Sequence, residues 1–437
     1  MPREKKTESP SKILVIGATG FIGRHIAGHL IAQGCEVTLG VRDVEAARRR
    51  FPMATILGCD LARDSEAIWV KRLVGIDAVV NAAGLLDSSE AGSLHDVHVE
   101  GPKRLFNACL LADCRRIVHL SAISANDDVG TQYATSKLEG EQVLQASTLD
   151  WTILRPSLVY GPGSYGGTSL MRGLAGFPMV TPIPGSGEFA FQPIHIDDLS
   201  ALVSECLTDD VGTRLVLQPV GPQIRSLEQI VLDMRRWLDL PDQPVVHIPM
   251  ALIKFIAGLM GTFFPGPVSP TAIRQMEYGN TGDYQAYLAD GGRPTRSMSR
   301  ALAQMPSTVQ DRWHAKLYFL RPGLRFALFF LWFASGLVGL LWGQEQVEAI
   351  GRALRWEGHE QILLIGFCAM DVVLALGLLI RGHVTTVLTV QFLAVLGYTL
   401  SLGILVPELW TDLYGGLIKN IPILAAILAL LAIEHDK

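Results

Sequence analysis

Tyr133 and Lys137 stand four residues apart, one turn of a helix, and their side chains suit proton transfer. A free phenol with a pKa of about 10 is a poor base at neutral pH. An ammonium one turn away favours the phenolate and can also hold a ribose hydroxyl. The spacing alone recurs by chance in helices, so its weight depends on what surrounds it. Upstream lies Gly17-Ala18-Thr19-Gly20-Phe21-Ile22-Gly23, a glycine triplet between an apolar run and a helical stretch. In that setting Gly17 permits a tight turn and Gly20 lets backbone approach a diphosphate. Gly23 lets the helix pack closely, and the helix N-terminus offers N–H groups to the anion. The alternative is a structural glycine turn. About twenty residues on, NAD sites place a carboxylate for the ribose 2′-hydroxyl. This chain has Arg42 there and no acid before Asp43. A guanidinium suits a 2′-phosphate, which favours NADP(H) over NAD(H); otherwise Arg42 is a solvated surface residue.

Such groups need a scaffold. Ile13–Ile16, Glu36–Leu39, Thr55–Leu57, Ala78–Val80, Arg116–Leu120 and Thr152–Leu154 read as six short strands separated by crossover helices. That rhythm predicts an α/β fold with a doubly wound parallel sheet covered on both faces. After Arg155 the chain turns Gly/Pro-rich (Gly161-Pro162-Gly163, Pro182-Ile183-Pro184-Gly185), which predicts a small cap near the strand C-termini.

Composition adds a second architecture. The chain has 437 residues, 49% hydrophobic and 18% charged, with a mean hydropathy of +0.30; a soluble enzyme is usually about a quarter charged. Phe326–Trp342, Ile362–Ile380, Val384–Val406 and Gly415–Ile433 are nearly free of charge. Spanning helices take about 17–25 apolar residues, and these segments are apolar all round rather than amphipathic. They predict an all-α, four-helix transmembrane domain. Arg312, Lys316, Arg321 and Arg325 precede the first span, and Arg381 lies between the second and third. Arg352 and Arg355 in the opposite loop make the bias modest, but it favours both ends inside. Ala251–Phe264, apolar apart from Lys254, lies on the membrane surface or packs on the cap.

The net charge of −5 argues against nucleic-acid binding. Six scattered cysteines, with no Cys-x-x-Cys pair, predict buried free thiols in a reducing compartment. The charged segment Met1–Lys12, with no apolar core, is not expected to act as a signal peptide, and residues 1–11 are expected to be disordered. His195 with Asp197 and Asp198 supplies too few spaced ligands for a metal.

The segment from about Lys12 to Leu240 resembles the extended and atypical short-chain dehydrogenases. The resemblance rests on the glycine loop, Asp60-Leu61, Asn81-Ala82-Ala83-Gly84 and Tyr133-x-x-x-Lys137. It also rests on Arg155-Pro156-Ser157, Tyr160-Gly161-Pro162-Gly163 and His195-Ile196-Asp197-Asp198-Leu199. The run Leu120-Ser121-Ala122-Ile123-Ser124 is similar to the atypical branch that includes an accessory subunit of mitochondrial complex I. The resemblance implies a Rossmann-type fold binding NAD(P) through Gly17, Thr19, Gly20, Phe21, Ile22 and Gly23. It implies that Asp60 and Leu61 contact adenine, that Ala82, Ala83 and Gly84 line the adenosine ribose, and that Pro156, Ser157 and Leu158 approach the nicotinamide. Tyr133 would be the acid/base, Lys137 its partner and Ser121 the carbonyl polariser. Hydride would then pass between the nicotinamide and a carbon whose oxygen exchanges a proton with Tyr133. Two departures stand out. Ser121 precedes Tyr133 by only twelve residues, with Ser124 closer still. Where many relatives carry asparagine, this chain has His98, either a proton relay or a packing residue.

Residues from about Arg321 onward resemble the DoxX-like membrane domain, through Ser335-Gly336-Leu337, Asp371 and Leu417-Ile418-Lys419-Asn420-Ile421-Pro422. Asp371 sits mid-span, where a carboxylate costs roughly 2.5–3.5 kcal/mol, and Lys419 is positioned to reach it. The pair, or Asp371 with a bound polar headgroup, marks a small-molecule or quinone site; the alternative is a structural hydrogen bond holding helices together.

The expected organisation is a tail (1–11), a nucleotide-binding domain with cap (12–310) and a transmembrane domain (311–437). The expected function is a membrane-tethered oxidoreductase of the cytoplasmic membrane, its nucleotide domain in the cytoplasm, acting on a hydrophobic carbonyl, alcohol or quinone-like substrate. One alternative is a sugar-nucleotide epimerase or dehydratase, with Arg172, Arg214 and Arg225 for the phosphates. Another is a nucleotide-bound redox sensor or assembly factor without catalysis.

Overall fold

The computed structural model describes residues 12–88, 93–163, 165–208, 212–261, 269–345, 347–348, 358–380, 382–411 and 416–434. The tail 1–11, the end of the Ala251–Phe264 segment, and Arg352, Arg355 and Arg381 lie outside the described residues. The chain divides into two compact units, one ending at Arg312 and the other running from Trp313.

In the first unit, short apolar runs form a parallel sheet. Its strands are β1 (Lys12–Ile16), β2 (Glu36–Val41), β3 (Thr55–Gly58), β4 (Ala78–Asn81), β5 (Arg116–Leu120) and β6 (Asp150–Leu154). A seventh strand, Leu215–Leu217, pairs with β6 in parallel. It is three residues long and lies among loops, too short for a periodicity to register in the sequence. The order is Leu215–Leu217, β6, β5, β4, β1, β2, β3.

Alternation sends side chains to two cores. Ile13, Val15, Val80 and Val118 pack on one face with Ile26 and Leu30 of helix α1 (Phe21–Ala32) and with Leu199 and Leu202. Leu14, Ile16, Val79 and Ile117 pack on the other with Trp69, Leu105, Phe106 and Leu144. Both faces being covered explains why the strands read as continuous apolar runs. The remaining helices on the way to the site are α2 (Val44–Arg50), α3 (Glu66–Arg72), α4 (Gly101–Leu111) and α5 (Gln132–Gln145).

The strand order reverses between β1 and β4, the place where such sheets open a crevice at their C-terminal edge. Register brings the edge together: Ile16 stands opposite both Gly40 and Asn81. The loops after β1, β2 and β4 therefore leave the sheet side by side. Short strand pairs build the cap, Val159–Tyr160 with Ile194–His195 and Thr181–Pro184 with Val245–Ile248. Helix Met250–Gly261 leaves Leu252 and Phe255 exposed, and its Lys254 pairs with Glu277 at 2.7 Å. All six cysteines are free thiols; Cys35 is half-buried and the rest are buried.

The second unit is helical. Among the described residues three helices are long and apolar enough to cross a membrane, their apolar segments ending at Trp342, Gly377 and Leu405. The fourth, Asn420–Glu434, is apolar but has 15 residues, shorter than the expected span from Gly415. Pro422 accounts for the late start: a proline is tolerated in the first turn, where its missing N–H is not needed, and not deeper. Leu328, Trp332, Leu374, Leu388, Val395 and Ile427 form the bundle core, while Phe330, Ile362, Phe367 and Ile404 point outward. Asp371 accepts a hydrogen bond from Ser335 Oγ at 2.9 Å. Among the described residues no ion pair joins it to Lys419, which is exposed. The expected Asp371–Lys419 pair is replaced by a bond between the first two apolar helices.

Candidate functional site

The glycine loop opens directly off β1. Gly17 adopts φ +77°, and a methyl group there would stand 2.8–2.9 Å from the backbone of Ala82 and Ala83. Two loops from opposite sides of the switch point thus touch backbone to backbone, which only glycine allows. At Gly23 a methyl would overlap the Gly17 carbonyl, so helix α1 can seat on the turn only without a side chain. Gly20 caps α1 with extended backbone and no side-chain bond, leaving the first turn, with Phe21 and Ile22, open to an anion. Thr19 is exposed on the turn.

Around this turn, Arg42 is exposed after β2. Asp43 is committed to capping α2, its carboxylate accepting from the Ala46 N–H at 2.8 Å. Asp60 accepts from the Ala62 N–H at 3.0 Å and donates its own N–H to Asp64, so the loop after β3 is self-braced. Leu61 is buried, and its carbonyl lies against Gly101 at the start of α4, where no side chain would fit. After β4, fully buried Asn81 accepts from the Ala83 N–H at 3.2 Å and meets His119 Nδ1 at 3.2 Å. That contact shapes the Ala82-Ala83-Gly84 loop. Asn81 stood in the Asn81-Ala82-Ala83-Gly84 motif without a role of its own, and His119, whose one signal was a polar residue inside an apolar strand, was not among the expected site residues.

Tyr133 and Lys137 project from α5, whose start is fixed by Thr131 capping the Ala134 N–H. Lys137 is buried, and its Nζ donates to the Leu120 carbonyl at 3.0 Å. The same ammonium lies 3.2 Å from where a Gly84 side chain would begin. Lys137, Gly84 and the end of β5 therefore meet. Burial pushes the lysine down to about 8, partly offset by Glu141. Burial also pushes the Tyr133 phenol up to about 12. Both shifts come first from burial, which disfavours the charged form of each group, whereas the spacing alone points only to the attraction of the ammonium for a phenolate. Ser121 is buried one residue beyond β5, and its Oγ has no hydrogen-bond partner among the described residues. Beneath it, burial and then the Lys137 charge push His119 down to about 3.

Pro156, Ser157 and Leu158 are woven into the cap. The Pro156 carbonyl accepts from Ile123 N–H at 3.1 Å, and the Leu158 carbonyl accepts from Ile194 N–H at 3.0 Å. The Ser157 hydroxyl donates to the Gln192 carbonyl. His195 caps helix Ile196–Leu207, packs edge-on against Tyr160 at 5.2 Å and meets Arg296, which also grips Asp198. That motif is structural.

The crevice suits a dinucleotide. Its glycines leave room at the positions a Cβ would fill, an uncapped helix N-terminus faces the turn, and Ser121 presents an unsatisfied hydroxyl.

Comparison with known proteins agrees in both halves. Residues 13–212 match the NAD dependent epimerase/dehydratase family, and residues 329–428 match the DoxX-like family. The chain is 28% identical over 260 residues to the mitochondrial NADH-ubiquinone oxidoreductase 40 kDa subunit of Neurospora crassa, covering 58% of this chain and 67% of that one. It is 28% identical over 209 residues to the ceramide reductase of Caulobacter vibrioides, covering 47% and 64%. Each match thus spans about two thirds of the relative's own length. Among solved structures, the UDP-glucose 4-epimerase of Thermus thermophilus in complex with NAD superposes with a TM-score of 0.52. At 19% identity it covers 67% of this chain and 96% of that one, and shares the fold. The chain therefore joins an N-terminal NAD-binding domain of the epimerase/dehydratase family, in the short-chain dehydrogenase superfamily, to a C-terminal DoxX-like domain.

Proposed function

We propose that the protein is a membrane-tethered, NADP(H)-preferring oxidoreductase that reduces or oxidises a lipid-soluble carbonyl or alcohol. The observation that carries this reading is the meeting of Lys137 Nζ with Gly84 and the end of β5, on the helix that also bears Tyr133. In this reading the Gly17–Gly23 backbone holds the diphosphate. Asp60, Leu61 and Ala82–Gly84 face the adenosine half, and Pro156–Leu158 face the nicotinamide. A bound nicotinamide supplies or accepts hydride. Tyr133 Oη donates or takes the substrate oxygen's proton, Ser121 Oγ polarises that oxygen, and Lys137 positions the ribose. Arg42 supports a 2′-phosphate, since Asp43 is occupied as a helix cap.

The lipid-soluble class is supported by the apolar helices of the second unit and by the relative named ceramide reductase. The sugar-nucleotide alternative is disfavoured because its three arginines are engaged. Arg172 binds Asp311 and the Gly161 carbonyl, Arg214 the Thr148 carbonyl, and Arg225 stands 4.0 Å from Asp233. Placement in the cytoplasmic membrane with both ends inside rests on the basic residues before the first span; that the two ends share one side is supported by Arg321 at the start of the first apolar helix. It forks onto Glu434 at the end of the last, with both contacts at 2.9 Å. That pair puts the two ends on one face of the bundle.

A second reading, a nucleotide-bound protein without turnover, draws on the raised Tyr133 phenol and on the relative named as a subunit of NADH-ubiquinone oxidoreductase. Full-length protein in lipid nanodiscs, given NADPH and a panel of long-chain ketones and ketone-bearing sphingoid lipids, separates the two. We expect nicotinamide oxidation that Tyr133→Phe lowers by roughly 100-fold or more, with nucleotide affinity retained. Bound nucleotide that no substrate oxidises, in both proteins alike, would overturn the oxidoreductase.

A further inference from the structure

His98 is a buried histidine that touches both the Tyr133 helix and the nucleotide loop. It lies in a single π-helical turn, Asp96–Glu100, that runs into α4. Such turns reposition one side chain without breaking the helix. The Leu85 backbone N–H donates to His98 Nε2 at 3.1 Å. A ring nitrogen that accepts carries no proton, so the neutral ring is protonated at Nδ1. Nδ1–H then donates to Ser136 Oγ at 2.9 Å. The Ser136 hydroxyl donates onward to the Tyr133 carbonyl at 3.1 Å. The same ring meets the Tyr133 ring edge-on, with centroids 5.7 Å apart. Its own carbonyl fits against α5 because residue 140 is glycine; any side chain there would overlap it.

We propose that His98 is a positioning residue: a neutral imidazole strut that fixes the Gly84–Leu85 loop against the first turn of α5, and so sets Tyr133 and Lys137 relative to the nucleotide crevice. Both nitrogens are committed in one continuous chain of hydrogen bonds, so the ring takes no part in moving the substrate proton. Burial, with lesser contributions from the charges of Lys137 and His119, pushes it down to about 2. The strut therefore holds its form across the working pH range. The inference rests on the proposed function only for the meaning of the crevice; the strut itself is read without turnover.

Nitrogen-15 NMR of histidine-labelled full-length protein in detergent tests it. The His98 signals are identified by their loss in His98→Gln. The expected result is an Nδ1–H tautomer with no titration between about pH 5 and 9. Ser136→Ala should release it to mixed tautomers or visible titration. Adding NADPH should shift the ring nitrogens. His98→Gln keeps the acceptor toward Leu85 and His98→Asn keeps the donor toward Ser136. Each should weaken NADPH about tenfold by calorimetry, since neither retains both ends. An Nε2–H tautomer, titration near the ordinary histidine value, or full NADPH affinity in both variants would overturn the strut. If unsubstituted protein bound no NADPH, the oxidoreductase reading would fail, and the tautomer and its Ser136→Ala response would still decide the strut.

Discussion

Arg155 grips Glu141 through two arms of its guanidinium. Nε lies 2.9 and 3.0 Å from the two carboxylate oxygens and Nη2 lies 2.5 Å from one. Glu141 is wholly buried and sits one turn beyond Lys137, so the pair locks the α5 face bearing Tyr133, Lys137 and Glu141 to the residue preceding Pro156. Breaking a buried pair strands a charge and costs about 3–5 kcal/mol. Arg155→Met should therefore lower the thermal midpoint of the nucleotide domain sharply. Arg155→Met with Glu141→Leu should recover much of the loss. A single variant as stable as the unsubstituted protein would show that the fork does not hold the site together.

Lys137 gives a stability prediction whose sign runs against its catalytic value. Its folded pKa of about 8 lies below the ordinary lysine value of 10.5. Between those limits the unfolded chain binds the extra proton, so stability rises with pH there. The burial cost is fully present below about pH 8 and fades toward pH 10.5. Lys137→Met removes it, and should stabilise the domain at pH 7 by about 1–3 kcal/mol, less the lost bond to Leu120. The advantage should shrink as pH rises through that window, in thermal melts at successive pH values. Turnover should fall in the same variant. A pH-independent difference would mean the ammonium is solvated.

These two residues also show where sequence and structure part. The strands β1 to β6 and the glycine turn were legible because each is local: a short apolar run between helical stretches and a triplet state their own geometry. Tyr133 and Lys137 were legible as a pair for the same reason. Their protonation was not, since both shifts come first from burial, which exists only once β5 and α5 pack. The Asp371 partner was misread likewise. Charge suggested Lys419, whereas packing of the first two apolar helices supplies Ser335. The role of His98 needed both hydrogen-bond partners before relay and strut separated.

The glycine turn carries a sharper test than the usual loss of binding. Gly17→Ala puts a methyl 2.8 Å from the Ala83 nitrogen at φ +77°. Strain of this kind costs about 1–3 kcal/mol, a tenfold to hundredfold loss in nucleotide affinity if it falls on the bound state. Gly28→Ala, in the following helix α1 with open space around it, should leave affinity unchanged. Calorimetric titration with NADPH reads both; equal effects would detach the turn from the diphosphate.

Arg42 decides between the two nucleotides. A charge-assisted bond to a 2′-phosphate contributes about 1.5–3 kcal/mol. Arg42→Gln should therefore weaken NADPH by roughly 10- to 100-fold and leave NADH nearly unchanged. Equal losses for both, or none, would place the 2′-position elsewhere and remove the preference for NADP(H).

In the helical unit, close packing should matter more than the mid-span carboxylate. Gly336 packs so tightly that a methyl would stand 2.8 Å from the Cys368 carbonyl, and Gly343 is similarly confined, 2.9 Å from Leu364. Small residues of this kind let membrane helices approach backbone to backbone. The Ser335–Asp371 bond crosses the same seam, and such bonds contribute only about 0.6 kcal/mol on average. Asp371→Asn retains an acceptor for Ser335 and should change resistance to unfolding in SDS very little. Gly336→Val must separate the two helices and should unfold at clearly lower detergent fraction. If the order were reversed, Asp371 would be the element that holds the pair, and the glycines would merely accommodate it.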